Sequence, residues 1–164
     1  MTKVKIEIEV NGKKRVSEIE PDQMLVDLLR EDLGLTGTKV GCREGECGVC
    51  SILLNGKIVT SCLVPAVKAD GATITTVEGL EKEGQLHPLQ REFVAFGAVQ
   101  CGFCTPAMLL AGKNLLDHIP KPTLEEIQMA VSGVLCRCTG YRKIVQAIQS
   151  ASQSLEKQEG SDGK

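Results

Sequence analysis

The sequence predicts an α+β fold in two parts: a mixed domain over residues 1–77 and an all-helical domain over residues 89–156. Three observations carry the prediction. Apolar residues alternate with polar ones early in the chain, then recur every three to four positions later, which is the change from strand to helix period. Two Asn-Gly pairs stand between strand-like runs in the first part, and Asn-Gly is the favoured two-residue hairpin turn. The eight cysteines fall into two groups of four, one in each part.

Residues 3–19 read as a β-hairpin. Val4, Ile6, Ile8 and Val10 alternate with polar residues, and Asn11-Gly12 supplies the turn. Asp22 is placed to cap a short helix over residues 23–31, with Leu25, Leu28 and Leu29 on one face. A glycine-punctuated run from Gly34 to Val40 leads to the first cysteine. Ser51–Leu54 and Lys57–Thr60 read as strands about Asn55-Gly56, and residues 72–77 as a final strand. One helix among several strands suggests a compact α+β unit.

Residues 78–88 are rich in Gly and charge and end in His87-Pro88, which reads as a linker. Beyond it Leu89, Phe93 and Phe96 mark one helix face. Thr105-Pro106, a cap followed by Pro at the first helical position, opens a helix to about Leu116. Thr123-Leu124-Glu125-Glu126 is a capping box, with Leu124, Ile127 and Val131 behind it. Ile144, Ile148, Ala151 and Leu155 mark a last helix. Four short helices with brief connections suggest a small bundle. Residues 157–164 are polar and read as a disordered tail.

Each part is small enough, at roughly 75 residues, that a hydrophobic core alone is marginal. Three Phe, one Tyr and no Trp leave few large anchors. Metal cross-links would make up the deficit. A net charge of −2 without any basic stripe argues against a nucleic-acid partner. The start alternates polar and apolar residues, unlike a signal peptide, and no apolar run approaches the ~18 residues of a membrane span. The chain therefore reads as cytoplasmic. There cysteine patterns signal metal or redox chemistry more often than disulfides.

The first group, Cys42, Cys47, Cys50 and Cys62, is spaced C-x4-C-x2-C-x11-C. That is the plant-type 2Fe–2S spacing, and four thiolates are the ligand count of one cluster. Three glycines in the loop, Gly41, Gly45 and Gly48, let the backbone come close to a ligand and point N–H groups at sulfur. Arg43, Glu44 and Glu46 read as solvated loop charges. The second group, Cys101, Cys104, Cys136 and Cys138, is less transparent. A 2Fe–2S cluster, a four-thiolate zinc site and a redox dithiol at Cys101-Gly102-Phe103-Cys104 all fit the spacing. Both pairs sit at predicted helix beginnings, where free N–H groups stabilise thiolates. His87 and His118, the two histidines, lack the spacing to cysteine of a Rieske centre and read as structural.

Three motifs follow one another: Gly41-Cys42-Arg43-Glu44-Gly45-Glu46-Cys47-Gly48-Val49-Cys50, Gln100-Cys101-Gly102-Phe103-Cys104-Thr105-Pro106, and Cys136-Arg137-Cys138-Thr139-Gly140-Tyr141. In this order, from about residue 3 to 152, the chain closely resembles the small iron–sulfur subunit of molybdenum hydroxylases, the xanthine oxidase family. One departure is Ala107 where the family commonly has Gly. The resemblance implies a plant-ferredoxin-like (β-grasp) domain and a four-helix-bundle domain, each with one 2Fe–2S cluster held by its four cysteines. It implies a molybdopterin-binding large subunit beside the helical cluster, with Gln100 and Cys138 at the pterin, and an FAD-binding medium subunit beside the other. The implied function is electron transfer, one electron at a time, between molybdopterin and flavin, with no substrate site on this chain. A free-standing two-cluster ferredoxin is the alternative, and a helical domain that holds structural zinc is a third reading.

Overall fold

The computed structural model describes residues 2–159. β1 (Val4–Val10) and β2 (Lys13–Ile19) pair antiparallel, from Val10 opposite Lys13 to Val4 opposite Ile19. Asn11 and Gly12 both take positive φ, 52° and 75°, which a type I′ turn demands and Asn-Gly tolerates. β3 (Ser51–Leu54) and β4 (Lys57–Thr60) repeat the device, with Asn55 and Gly56 at 50° and 76°. The last strand, β5 (Thr73–Thr75), lies parallel to β1 and antiparallel to β3. It closes a five-stranded mixed sheet in the order β2-β1-β5-β3-β4.

Residues 23–31 are not one capped helix. Leu25 N–H donates to Val64 O at 2.7 Å and Ala66 N–H to Gln23 O at 2.8 Å, which holds Met24 extended. The helix α1 (Leu25–Asp27) therefore starts later, without a side-chain cap, and passes into a π-helical stretch, Leu28–Asp32. Asp22 caps nothing, but Leu25, Leu28 and Leu29 are fully buried as expected. They pack with Ile6, Ile8, Ile52 and Ile74 on one side of the sheet. β5 stops at Thr75 because the amide of Asn11 takes over the next residue. Thr76 N–H donates to Asn11 Oδ1, and Asn11 Nδ2 donates to Thr76 Oγ1, each at 2.9 Å.

Residues 78–88 are built rather than slack. A 3-10 turn, Val77–Gly79, delivers Leu80 into the helical core at 3% exposure. Lys82 and Gln85 pair across a tight turn. His87 then caps α2 (Pro88–Ala95): its Nδ1 accepts the Leu89 N–H at 3.2 Å, and Gln90 Oε1 accepts the His87 N–H at 2.8 Å. α3 (Thr105–His118) has Cys104 rather than Thr105 in the cap position. α4 (Leu124–Ser132) carries the expected capping box, with Thr123 N–H on Glu126 Oε2 at 2.7 Å and Glu126 N–H on Thr123 Oγ1 at 3.3 Å. α5 (Arg142–Glu159) continues three residues into the stretch read as a tail, and residues 160–164 lie outside the described residues.

Phe93, Leu89, Met108, Ile127, Ile144 and Ile148 form the helical core; Phe96 and Leu124, expected on core faces, are exposed. Val49, Leu53 and Leu80 belong to the same core. β3 explains how. Ile52 faces α1 on one side of the sheet, and Leu53 faces the helices on the other. Among the described residues no helix is long and apolar enough to cross a membrane.

Candidate metal centres

The first cysteine group lies on the loop between the π-helical stretch and β3, with Cys62 arriving from the 3-10 turn after β4. Arg43 and Gly45 take positive φ, 59° and 83°, and bend the loop round Cys42. Arg43 is not merely solvated: its guanidinium makes a two-pronged ion pair with Asp27 at 2.8 and 3.0 Å, which ties the loop to α1. The N–H groups of Glu44 and Cys47 both point at Cys42 Sγ, at 3.4 Å, and hold its thiol down to about pKa 7. Gly41 has no room for a side chain, since a Cβ there would stand 2.8 Å from Cys47 Sγ. Cys50 and Cys62 are buried with Val26. Burial, with the neighbouring Cys62, pushes the Cys50 thiol up to about 11. Ser61 fastens this pair by donating from Oγ to Cys50 O at 2.7 Å.

In the second group Cys101 and Cys104 stand on the turn before α3, and Cys136 and Cys138 on the turn between α4 and α5. Cys138 Sγ lies 3.4 Å from Cys101 Sγ, and both are exposed. Cys104 is buried and meets the half-buried Cys136; burial, then that contact, raises its thiol to about 12. Burial works against a Cys136 thiolate too, but the hydroxyl and N–H of Thr139 outweigh it and lower the pKa. Cys138 is not at a helix start, because Gly140 and Tyr141 turn left-handed, at φ 63° and 64°, before α5 begins. Tyr141 is a residue the sequence did not single out. Its hydroxyl accepts the Cys136 N–H at 2.8 Å and donates to Val134 O at 3.1 Å. The available signal was that the chain's one tyrosine closes the last cysteine motif.

The two groups come together. A cavity of about 230 Å³ is lined by Gly41, Cys47 and Val49 from the first half, and by Cys101, Cys104, Cys136 and Cys138 from the second. Leu135 N–H donates to Cys47 O at 2.9 Å, so one hydrogen bond and one peptide unit separate Cys47 from Cys136. Gly48 makes this approach possible: a Cβ there would fall 1.9 Å from Gly133 O. Gln100, next to Cys101 in sequence, is exposed.

Within each group the thiols meet two by two, Cys42 with Cys47 and Cys50 with Cys62, Cys101 with Cys138 and Cys104 with Cys136. Among the described residues no three His, Cys, Asp or Glu side chains close round a single ion. Two thiolates for each of two irons, with backbone N–H groups aimed at sulfur, fits a 2Fe–2S cluster. His87 and His118 stay outside both sets: His87 caps α2, and His118 Nδ1 lies 2.7 Å from Asn114 O.

A mixed-sheet domain and a helical domain, each presenting four paired thiols, define a two-cluster iron–sulfur protein. Residues 8–80 match the family described as 2Fe-2S iron-sulfur cluster binding domain, and residues 76–149 match the 2Fe-2S binding domain. The second match removes the zinc and dithiol readings of the helical cysteines. The nicotinate dehydrogenase small FeS subunit of Eubacterium barkeri is 52% identical over 151 residues, covering 92% of this chain and 96% of that one. The nicotine 6-hydroxylase small subunit of Paenarthrobacter nicotinovorans is 46% identical over 158 residues, covering 96% and 95%. The solved quinoline 2-oxidoreductase of Pseudomonas putida 86 superposes with a TM-score of 0.92 at 44% identity, covering 96% of this chain and 98% of that one. The chain belongs to the small iron–sulfur subunits of the molybdenum hydroxylases, the xanthine oxidase family. It is an electron-transfer subunit of an oxidoreductase complex and takes two 2Fe–2S clusters.

Proposed function

We propose that this chain relays electrons, one at a time, between molybdopterin on a large partner subunit and FAD on a medium partner subunit, in the cytoplasm. The observation that carries the reading is the meeting of the two thiol groups at one cavity, with Cys47 and Cys136 joined through the Leu135 hydrogen bond. When bound, a 2Fe–2S cluster supplies a one-electron centre whose potential the surrounding hydrogen bonds and burial adjust. Cys42, Cys47, Cys50 and Cys62 hold one cluster, and Cys101, Cys104, Cys136 and Cys138 the other. Exposure of Cys101, Cys138 and Gln100 supports the reading that this end of the helical site meets the large subunit, with Gln100 and Cys138 hydrogen-bonding the pterin. Burial of Cys104 keeps the other end of the site from water. We read the helical half as a four-helix bundle.

Iron and acid-labile sulfide analysis of anaerobically purified protein, with EPR after dithionite reduction, tests the cluster content. About four irons, about four sulfides and two spin-half signals are expected. About two irons with one signal would remove the relay. In the assembled complex, Cys138→Ser is expected to slow flavin reduction by substrate at least roughly tenfold, an added barrier of about 1.4 kcal/mol. Unchanged flavin reduction would place the electron route elsewhere.

A further inference from the structure

We infer that Thr139 is a potential-setting donor to the helical cluster, and that Tyr141 is the residue that aims it. The inference rests on the proposal that Cys136 is a cluster ligand. Thr139 Oγ1 lies 3.0 Å from Cys136 Sγ. A coordinating cysteine is a thiolate and has no proton to give. The hydroxyl must then donate. Tyr141 N–H donates to the same Oγ1 at 3.2 Å, which holds the oxygen beside the sulfur through one of its lone pairs while its single O–H serves the sulfur.

Tyr141 can do this because of its backbone. Gly140, at φ 63°, turns the Tyr141 N–H back toward Thr139, and Tyr141 itself continues left-handed at φ 64°, a conformation a large side chain rarely adopts. The phenol holds the residue there by bonding Cys136 N–H and Val134 O, so both ends of the turn are clamped by one side chain. Thr139 N–H adds a second donor to Cys136 Sγ at 3.4 Å. A hydrogen bond to a ligand sulfur favours the more negative, reduced state of a cluster and raises its potential. Thr139 thus makes the helical cluster a better electron acceptor. In the first group the donors on Cys42 are both backbone N–H groups, so the hydroxyl on Cys136 is what the helical site adds.

The test is a redox titration of the assembled holo-complex, followed by the two EPR signals. Thr139→Val keeps the shape and removes the donor. At a fixed potential the reduced-to-oxidised ratio of the helical signal is expected to fall about tenfold, which is 59 mV for a one-electron couple. Thr139→Ser is expected to restore it, and the other signal should not move. An unshifted helical midpoint in Thr139→Val, with both signals present, overturns the inference. Double resonance on the complex gives a second readout. A proton coupled to the helical signal that exchanges within minutes of transfer to D2O in the wild type and is lost in Thr139→Val supports the hydroxyl over the Thr139 N–H, and its absence from the wild type overturns the inference. Failure of the underlying reading looks different, because the wild type would then show no helical signal at all.

Discussion

His87 uses a ring nitrogen where helix starts usually carry a hydroxyl or carboxylate. Nδ1 must be unprotonated to accept the Leu89 N–H, and burial, then the nearby Lys113, lowers the imidazole pKa from 6.5 to about 4. Between those values the unfolded chain binds a proton that the folded chain refuses, so stability falls as the pH drops from 6.5 toward 4. The loss is about 1–2 kcal/mol once solvent screening of a partly exposed ring is discounted. Urea unfolding at pH 7 and pH 5 reads it directly, and His87→Asn, which keeps a cap without a titrating ring, should flatten the difference. At this scale the iron–sulfur character of the cysteine motifs was legible because thiols are rare and 2Fe–2S spacing is set by chemistry. Arg43 was not: an exposed charge in a loop gives no sign that Asp27, sixteen residues earlier, will sit opposite it. Tyr141 hid for a similar reason, since its work depends on a left-handed turn that sequence alone rarely reveals.

Among the elements, the hairpins were the most legible because Asn-Gly pairs satisfy a turn geometry few other residues accept. Asn11 has a second task that no local rule shows. Its side-chain amide ends β5 by bonding both the N–H and the hydroxyl of Thr76, a fully buried residue sixty-five positions away. Asn11→Ala is expected to cost about 2–3 kcal/mol, from two lost hydrogen bonds and a buried N–H left without a partner. Urea denaturation measures it, and a loss within about 0.5 kcal/mol, as at an ordinary surface site, would mean the clasp contributes nothing. The helix over residues 23–31 was displaced for the same kind of reason. Backbone pairing with Val64 and Ala66 fixes its start, and long-range pairing leaves no trace in local pattern. α4 kept its expected start because a capping box is made wholly from neighbours in sequence.

For the whole molecule, the order of strands first and longer helices later was legible from the change of period, but the packing of the two against each other was not. A run such as Ser51–Leu54 looks like any buried strand; only the sheet shows that Leu53 serves the helices while Ile52 serves α1. Gly48 is a point of close backbone approach in that packing. Gly48→Ala would force a methyl into the Gly133 carbonyl at a residue with φ 65°, backbone against backbone. An expected loss of at least about 3 kcal/mol, read as a lower Tm, should accompany broadening of both EPR signals. A wild-type Tm would show that the halves dock less closely than the structure has them. Resistance to that change would also weaken the Cys47–Leu135 connection between the two centres.

The turn at Glu83-Gly84 has a consequence for how the chain can be cut. Both residues are exposed, and on either side of them Leu80 and Leu89 are sealed into the common core at 3% and 0% exposure. The covalent bond there carries little of what keeps the halves in register. A single proteolytic nick at Glu83 should give two bands on a denaturing gel and one species on a native column. The same logic makes this turn the place where one gene could become two, with the separately translated pieces finding each other through Leu53, Leu80 and the Gly48–Gly133 contact.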